Sequence, residues 1–103
     1  MIGMTDNIDW RAVSRRLEAA TGPDAAIDDA LQCPQATASA EVARAWAAAR
    51  LPDWHGHVGF DVSGVLPYAA FGRDGLHVEA NAPTVPLAIL RAAVRALAGD
   101  LGQ

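Results

Sequence analysis

Apolar positions along this chain recur with two periods, and the change from one to the other divides it. Trp10, Val13, Leu17 and Ala20 fall three or four residues apart, with Arg11, Arg15, Arg16 and Glu18 between them. That spacing predicts an amphipathic helix, which Asp6 or Asn7 can cap. Thr21-Gly22-Pro23 ends it: Gly22 suits the residue after a helix and Pro23 the first position of the next, so a tight helical corner is expected. A second helix over Asp24–Gln32 buries Ile27, Ala30 and Leu31 and turns Asp24, Asp28 and Asp29 outward, before Cys33-Pro34 stops it. Ser39 caps a third helix reaching Arg50, with Val42, Trp46 and Ala49 as its apolar stripe and Leu51-Pro52 as its close.

From Trp54 to Asn81 the period falls to two, and two turn signals break the run into three strands. Asp74-Gly75 is a strong two-residue hairpin turn, because a type I′ turn needs positive φ at both central residues; Ser63-Gly64 is a weaker one. These turns pair Val62 with Val65, Phe60 with Pro67, Val58 with Ala69 and Phe71 with Val78. Alternation then places Trp54, Val58, Phe60, Val62, Val65, Ala69, Phe71, Leu76, Val78 and Ala80 on one apolar face. Pro67 lacks an N–H, so a bulge or an early strand end is expected there. The opposite face carries His55, His57, Asp61, Leu66, Tyr68, His77, Glu79 and Asn81.

Thr84 caps a last helix with Pro86 in its first turn, and Gly99 ends it. Leu87, Leu90, Val94 and Leu97, widened by Ile89 and Ala93, leave Arg91 and Arg95 on a narrow exposed edge. This helix is the most hydrophobic and is expected to lie across the apolar face of the sheet. The fold class is therefore α+β: three N-terminal helices, a three-stranded antiparallel meander and a C-terminal helix. One domain over residues 9–99 is expected, with a loose start at 1–8 and a tail at 100–103.

A chain of 103 residues buries enough surface for one core without staples. Its single cysteine excludes an internal disulfide, and no leader pattern opens it, so a reducing, cytosolic setting is expected. The apolar run Val85–Ala98 is interrupted by Arg91 and Arg95, which argues against a membrane span. The net charge of -4 is shared evenly between the halves, and there is no lysine, so the basic stripe of a nucleic-acid binder is missing.

All three histidines lie in the strand region. The register puts His55, Gly72 and His77 in one row and His57, Ala70 and Glu79 in the next. Adjacent strands are about 4.8 Å apart, so His55 and His77 could lean over Gly72 onto one ion, with Glu79 or His57 as further ligands. Alternation on an ordinary polar sheet face accounts for the same residues. Other templates fail on spacing: Ser63 lies in V-S-G rather than G-x-S-x-G, and Gly56 and Gly59 precede no phosphate-binding helix start. His57 and Asp61 are roughly 13 Å apart along the strand, too far for an acid–base pair. Cys33 reads as a packing residue. The acidic outer face of the second helix, Asp24, Asp28 and Asp29, is the second candidate, as a surface that docks a basic partner.

The stretches Leu17-Glu18-Ala19-Ala20-Thr21-Gly22-Pro23-Asp24, Ala36-Thr37-Ala38-Ser39 and Leu51-Pro52-Asp53-Trp54, with the closing Thr84–Leu90 segment, resemble the small phage and prophage proteins that carry the phage ABA sandwich domain. The resemblance spans about residues 10 to 98, with only Pro34-Gln35-Ala36 where longer members carry an insert. It implies an α/β/α-type sandwich and brings no catalytic residues and no cofactor. It also implies a phage or prophage gene in a bacterial host. Together with the lack of a complete catalytic set and the compact acidic composition, it makes the first reading a small non-enzymatic protein that binds a host or phage protein. An inhibitor of a host defence system, such as a CRISPR effector, is one specific form. The other readings are a metal-binding or hydrolytic domain that uses the sheet histidines, and a morphogenetic subunit that forms homo-oligomers through a sheet edge.

Overall fold

The computed structural model describes residues 8–60, 64 and 66–99. In chain order the elements are α1 (Trp10–Ala19), α2 (Ala25–Leu31), α3 (Ala40–Arg50), β1 (His55–Phe60), β2 (Pro67–Arg73), β3 (Leu76–Asn81) and α4 (Val85–Ala98). The fold is α+β, with an antiparallel sheet in the order β1-β2-β3.

Local chemistry sets the helix ends. Asp9, rather than Asp6 or Asn7, caps α1, its carboxylate accepting from the Ala12 N–H at 3.2 Å; positions 6 and 7 lie outside the described residues. Asp24 is the cap of α2, not its first residue, so Pro23 precedes the helix instead of opening it. Ser39 and Thr84 cap α3 and α4, and Gly99 closes α4 at φ 80°. Gln32 ends α2 in the left-handed region at φ 57°. The buried stripe of α3 is Ala43, Trp46 and Ala47; Ala49 is exposed and Val42 half-buried, one helical step from the expected face.

α4 is the middle layer. It packs against β2 and β3 on one side and against α1 and α3 on the other. Leu87, Ala88, Ile89, Leu90, Ala92, Ala93 and Val94 are all buried, as expected of a helix apolar on nearly every side. Burying each large side chain contributes about 1.5–3 kcal/mol. The layers therefore run sheet, α4, then α1 with α3. The helix cover expected of a sandwich reaches one face of the sheet, and the face bearing His55, His57, His77 and Glu79 is open.

Arg91 and Arg95 are half-buried and bonded to neighbouring elements, rather than standing free on an exposed edge. The Arg91 guanidinium donates to the carbonyls of Leu17 (2.8 Å), Glu18 (3.1 Å), Ala20 (3.0 Å) and Asn81 (2.8 Å). Arg95 donates to the Glu79 carbonyl at 2.7 Å and pairs with the Glu18 carboxylate at 2.6 Å. α1 ends in extended backbone at Ala20, so several of its last carbonyls have no helical partner. A planar, charged donor from α4 supplies one and favours the negative end of the α1 dipole.

A second polar knot joins α2 to the loop before α3. Thr37 is 1 % exposed and is the one buried polar residue among those described. Its hydroxyl donates to Asp28 Oδ1 at 2.8 Å and accepts from the Asp24 N–H at 2.8 Å, while its own N–H donates to the same Asp28 oxygen at 2.8 Å. Thr37→Val keeps the shape and the N–H bond to Asp28 but strands the Asp24 N–H and removes the hydroxyl bond to Asp28. It is expected to lower the unfolding free energy by about 1–3 kcal/mol in a urea titration with unchanged slope. A loss below about 0.5 kcal/mol would show the network to be marginal.

On the far side, Trp10 meets Trp46 edge to face at 6.0 Å, and the Arg50 guanidinium lies over both rings at 5.6 and 5.5 Å. This stack ties α1 to α3. Burial pushes the nearby Cys33 thiol pKa up, the Asp28 charge adds to that and Arg50 opposes it, so the thiol is a packing group with little thiolate character at neutral pH.

Candidate functional site

The strand register is the one expected from the turns. His55 pairs with Gly72, His57 with Ala70, Val58 with Ala69 and Phe60 with Pro67; Phe71 pairs with Val78, Gly72 with His77 and Ala70 with Glu79. Asp74 and Gly75 form the β2–β3 turn at φ 50° and 85°. Pro67 is the first residue of β2, so its missing N–H falls at a strand end. Val62, Ser63, Val65 and Asp61 lie outside the described residues; Gly64 has φ 73°.

Sharing a face does not make the histidines a site. His77 Nε2 lies 3.1 Å from Glu79 Oε1, both side chains more than half exposed, while the His57 ring tilts onto Tyr68 with centroids 5.6 Å apart. His55 is exposed beside them. Among the described residues no three His, Cys, Asp or Glu side chains gather where they could hold a metal ion. The rows are correct, and His55, His57, His77 and Glu79 line one open recess, but the His77 ring turns to Glu79 and the His57 ring to Tyr68.

The acidic face of α2 is also changed by the structure. Asp24 accepts from the Ala26 and Ile27 N–H groups, and Asp28 accepts from Thr37. Two of the three carboxylates expected to meet a partner are thus occupied in holding α2 and its loop. Asp29 alone points outward without a described bond, beside a groove formed with α1.

The apolar face of the sheet supplies a feature not foreseen. α4 covers β2 and β3, but not β1. A helix is about 10 Å across and strands are about 4.8 Å apart, so one helix covers two strands and leaves the third overhanging. Phe60, expected in the core, is 61 % exposed, and Leu76 at the far corner is 39 % exposed. Between the overhanging β1 and α3 runs a groove of about 200 Å³. Ala47, Ala48 and Leu51 form its helical wall, Val58 and Phe71 its sheet wall, and Ile89 belongs to its lining from α4. Arg44 and His57 also border it, and Arg44 makes no hydrogen bond or ion pair among the described residues.

Gly56 sits in this groove because Phe71 needs the space. A Cβ at position 56 would lie 2.9 Å from the Phe71 ring. The Phe71 ring therefore lies across the β1 backbone, and on the other face Tyr68 covers Gly59 in the same way, 3.1 Å from where its Cβ would be. β1 thus offers little side-chain bulk and much backbone at its outer edge, which has no strand partner among the described residues.

No helix among the described residues is long and apolar enough to cross a membrane. No family model, curated protein or solved structure matches the chain.

Proposed function

We propose that the chain is a small, non-enzymatic protein-binding module whose contact surface is the outer edge of β1 with the groove beside it. The observation that carries this reading is Phe60: a phenyl ring 61 % exposed on an edge strand, on the same face as an apolar groove. Exposed aromatic side chains beside apolar recesses are the features from which interface centres are built. The outward acid Asp29 is secondary, because the Asp24 and Asp28 carboxylates are engaged within the fold.

The finer form of the proposal is a phage or prophage accessory protein acting in the bacterial cytoplasm on a host or phage protein, an inhibitor of a defence system such as a CRISPR effector being one case. It rests on the Leu17–Asp24 stretch and its companions. A morphogenetic subunit is the second reading, favoured by the free edge of β1.

A tagged wild-type chain and its Phe60→Ser variant, passed over lysate of a bacterial host, test the surface. The wild type is expected to retain a stoichiometric partner that the variant loses at least tenfold, with both proteins melting at the same temperature. Equal retention by the two would remove β1 as the contact surface.

A further inference from the structure

We infer that the β1 edge is self-complementary: it binds the β1 edge of a second copy of this chain, antiparallel about Val58, so that Phe60 of each copy fills the groove at Gly56 of the other. This rests on the reading of β1 as a protein-binding surface and specifies the partner.

The backbone supports it first. The Ala82 N–H donates to the Pro67 carbonyl at 3.1 Å, and Arg73 and Leu76 flank the two-residue turn. Hydrogen-bonded and non-bonded pairs alternate along an antiparallel ladder. Pro67, Ala69, Phe71 and Arg73 therefore direct their backbone groups to β3, and Tyr68, Ala70 and Gly72 direct theirs to β1. Their partners Gly59, His57 and His55 are used in that ladder. Gly56, Val58 and Phe60 are left with N–H and C=O groups pointing out of the sheet.

Two copies related by a two-fold axis normal to the sheet keep their apolar faces on the same side. A residue must then lie opposite one of its own face. With Val58 opposite Val58, Phe60 falls opposite Gly56, and the outward groups of these residues form about six main-chain hydrogen bonds across the junction. The two three-stranded sheets become one continuous sheet.

Side chains select this register. Phe60 is the bulkiest and most exposed apolar residue of β1, and Gly56 carries no side chain of its own but has the Phe71 ring over it as a packing surface. Placing one across from the other puts the phenyl ring against Phe71 and Trp54 in the groove walled by Ala48 and Leu51. The sheet already covers a β1 glycine with an aromatic ring twice, Phe71 on Gly56 and Tyr68 on Gly59. The alternative two-fold register, centred on His57, sets Phe60 against the bulk of Trp54 and leaves Gly56 facing Val58. β1 also carries no lysine, proline or inward charge of the kind that guards an edge against pairing.

The test is mass in solution by sedimentation velocity across a wide concentration range, with amide exchange read on β1. The wild type is expected to approach twice its 10.8 kDa chain mass, with the Gly56, Val58 and Phe60 amides protected at high concentration and fast at low. Phe60→Ser, at an exposed site, is expected to weaken association at least tenfold. Ala48→Glu, on the exposed wall of the groove, is expected to do the same with Phe60 intact. A wild type that stays monomeric up to millimolar concentration overturns the inference, as does a dimer unaffected by both variants. If the monomer still loses a foreign partner on Phe60→Ser, the protein-binding reading survives; if that retention is also unchanged, both fall.

Discussion

Leu90→Asp is expected to abolish folding, leaving no cooperative thermal transition and no near-ultraviolet signal from the tryptophans. Leu90 is 0 % exposed in α4, which packs against both the sheet and the helical layer. The substitution removes a burial contribution of about 1.5–3 kcal/mol and asks the interior to accept a carboxylate, at a further cost of several kcal/mol. Domains of this size hold about 5–15 kcal/mol in total. Leu90→Met, which keeps the volume, is expected to cost under about 1.5 kcal/mol and controls for the position. A soluble Leu90→Asp chain with a sharp melt would mean that α4 is not the middle layer.

Arg91→Met carries the second large effect, an expected loss of about 2–4 kcal/mol. The methionine retains most of the apolar stem but withdraws every donor from the carbonyls of Leu17, Glu18, Ala20 and Asn81. Charge-assisted hydrogen bonds are worth about 1.5–3 kcal/mol singly, and here they share one side chain and partial solvent access, so their sum is not realised. At about 4–8 °C per kcal/mol, the melting temperature should fall by roughly 8–32 °C. Arg91→Lys is expected to restore less than half, since a single ammonium cannot span the end of α1 and the end of β3 together. Full rescue by lysine would show that charge alone, rather than the fork of donors, holds this junction.

The register and the boundaries of α3 and α4 were legible in the sequence because each rests on chemistry confined to a few residues, whereas the starts of α1 and α2 were not. A hairpin turn at Asp74-Gly75 admits one pairing, and a Ser or Thr cap marks its own helix. What could not be read depends on distance. Arg91 and Arg95 look like a solvated edge until the end of α1 is brought against them across more than seventy residues. Their only local signal is two arginines four apart in a helix otherwise apolar. Asp24 and Asp28 look outward-facing until Thr37 turns out to be buried beneath them. Phe60 falls on the apolar face by alternation, which reports the face a residue occupies but not how far a covering helix extends over that face. The same limit applies to His55, His57 and His77: alternation reports their shared face, but not where each ring turns.

The position of the middle layer in the chain has a consequence for synthesis. α4 is made after the other six described elements, yet β2, β3, α1 and α3 all find their apolar partner in it. Until α4 has left the ribosome, the three helices and the meander have no shared core, and the carbonyls at the end of α1 have no donor from Arg91. The domain therefore folds after translation of its last helix rather than growing from the N-terminus. During that interval the exposed edge of β1 is joined by the whole apolar face of the sheet, which makes the nascent meander the segment most in need of protection from pairing with its neighbours.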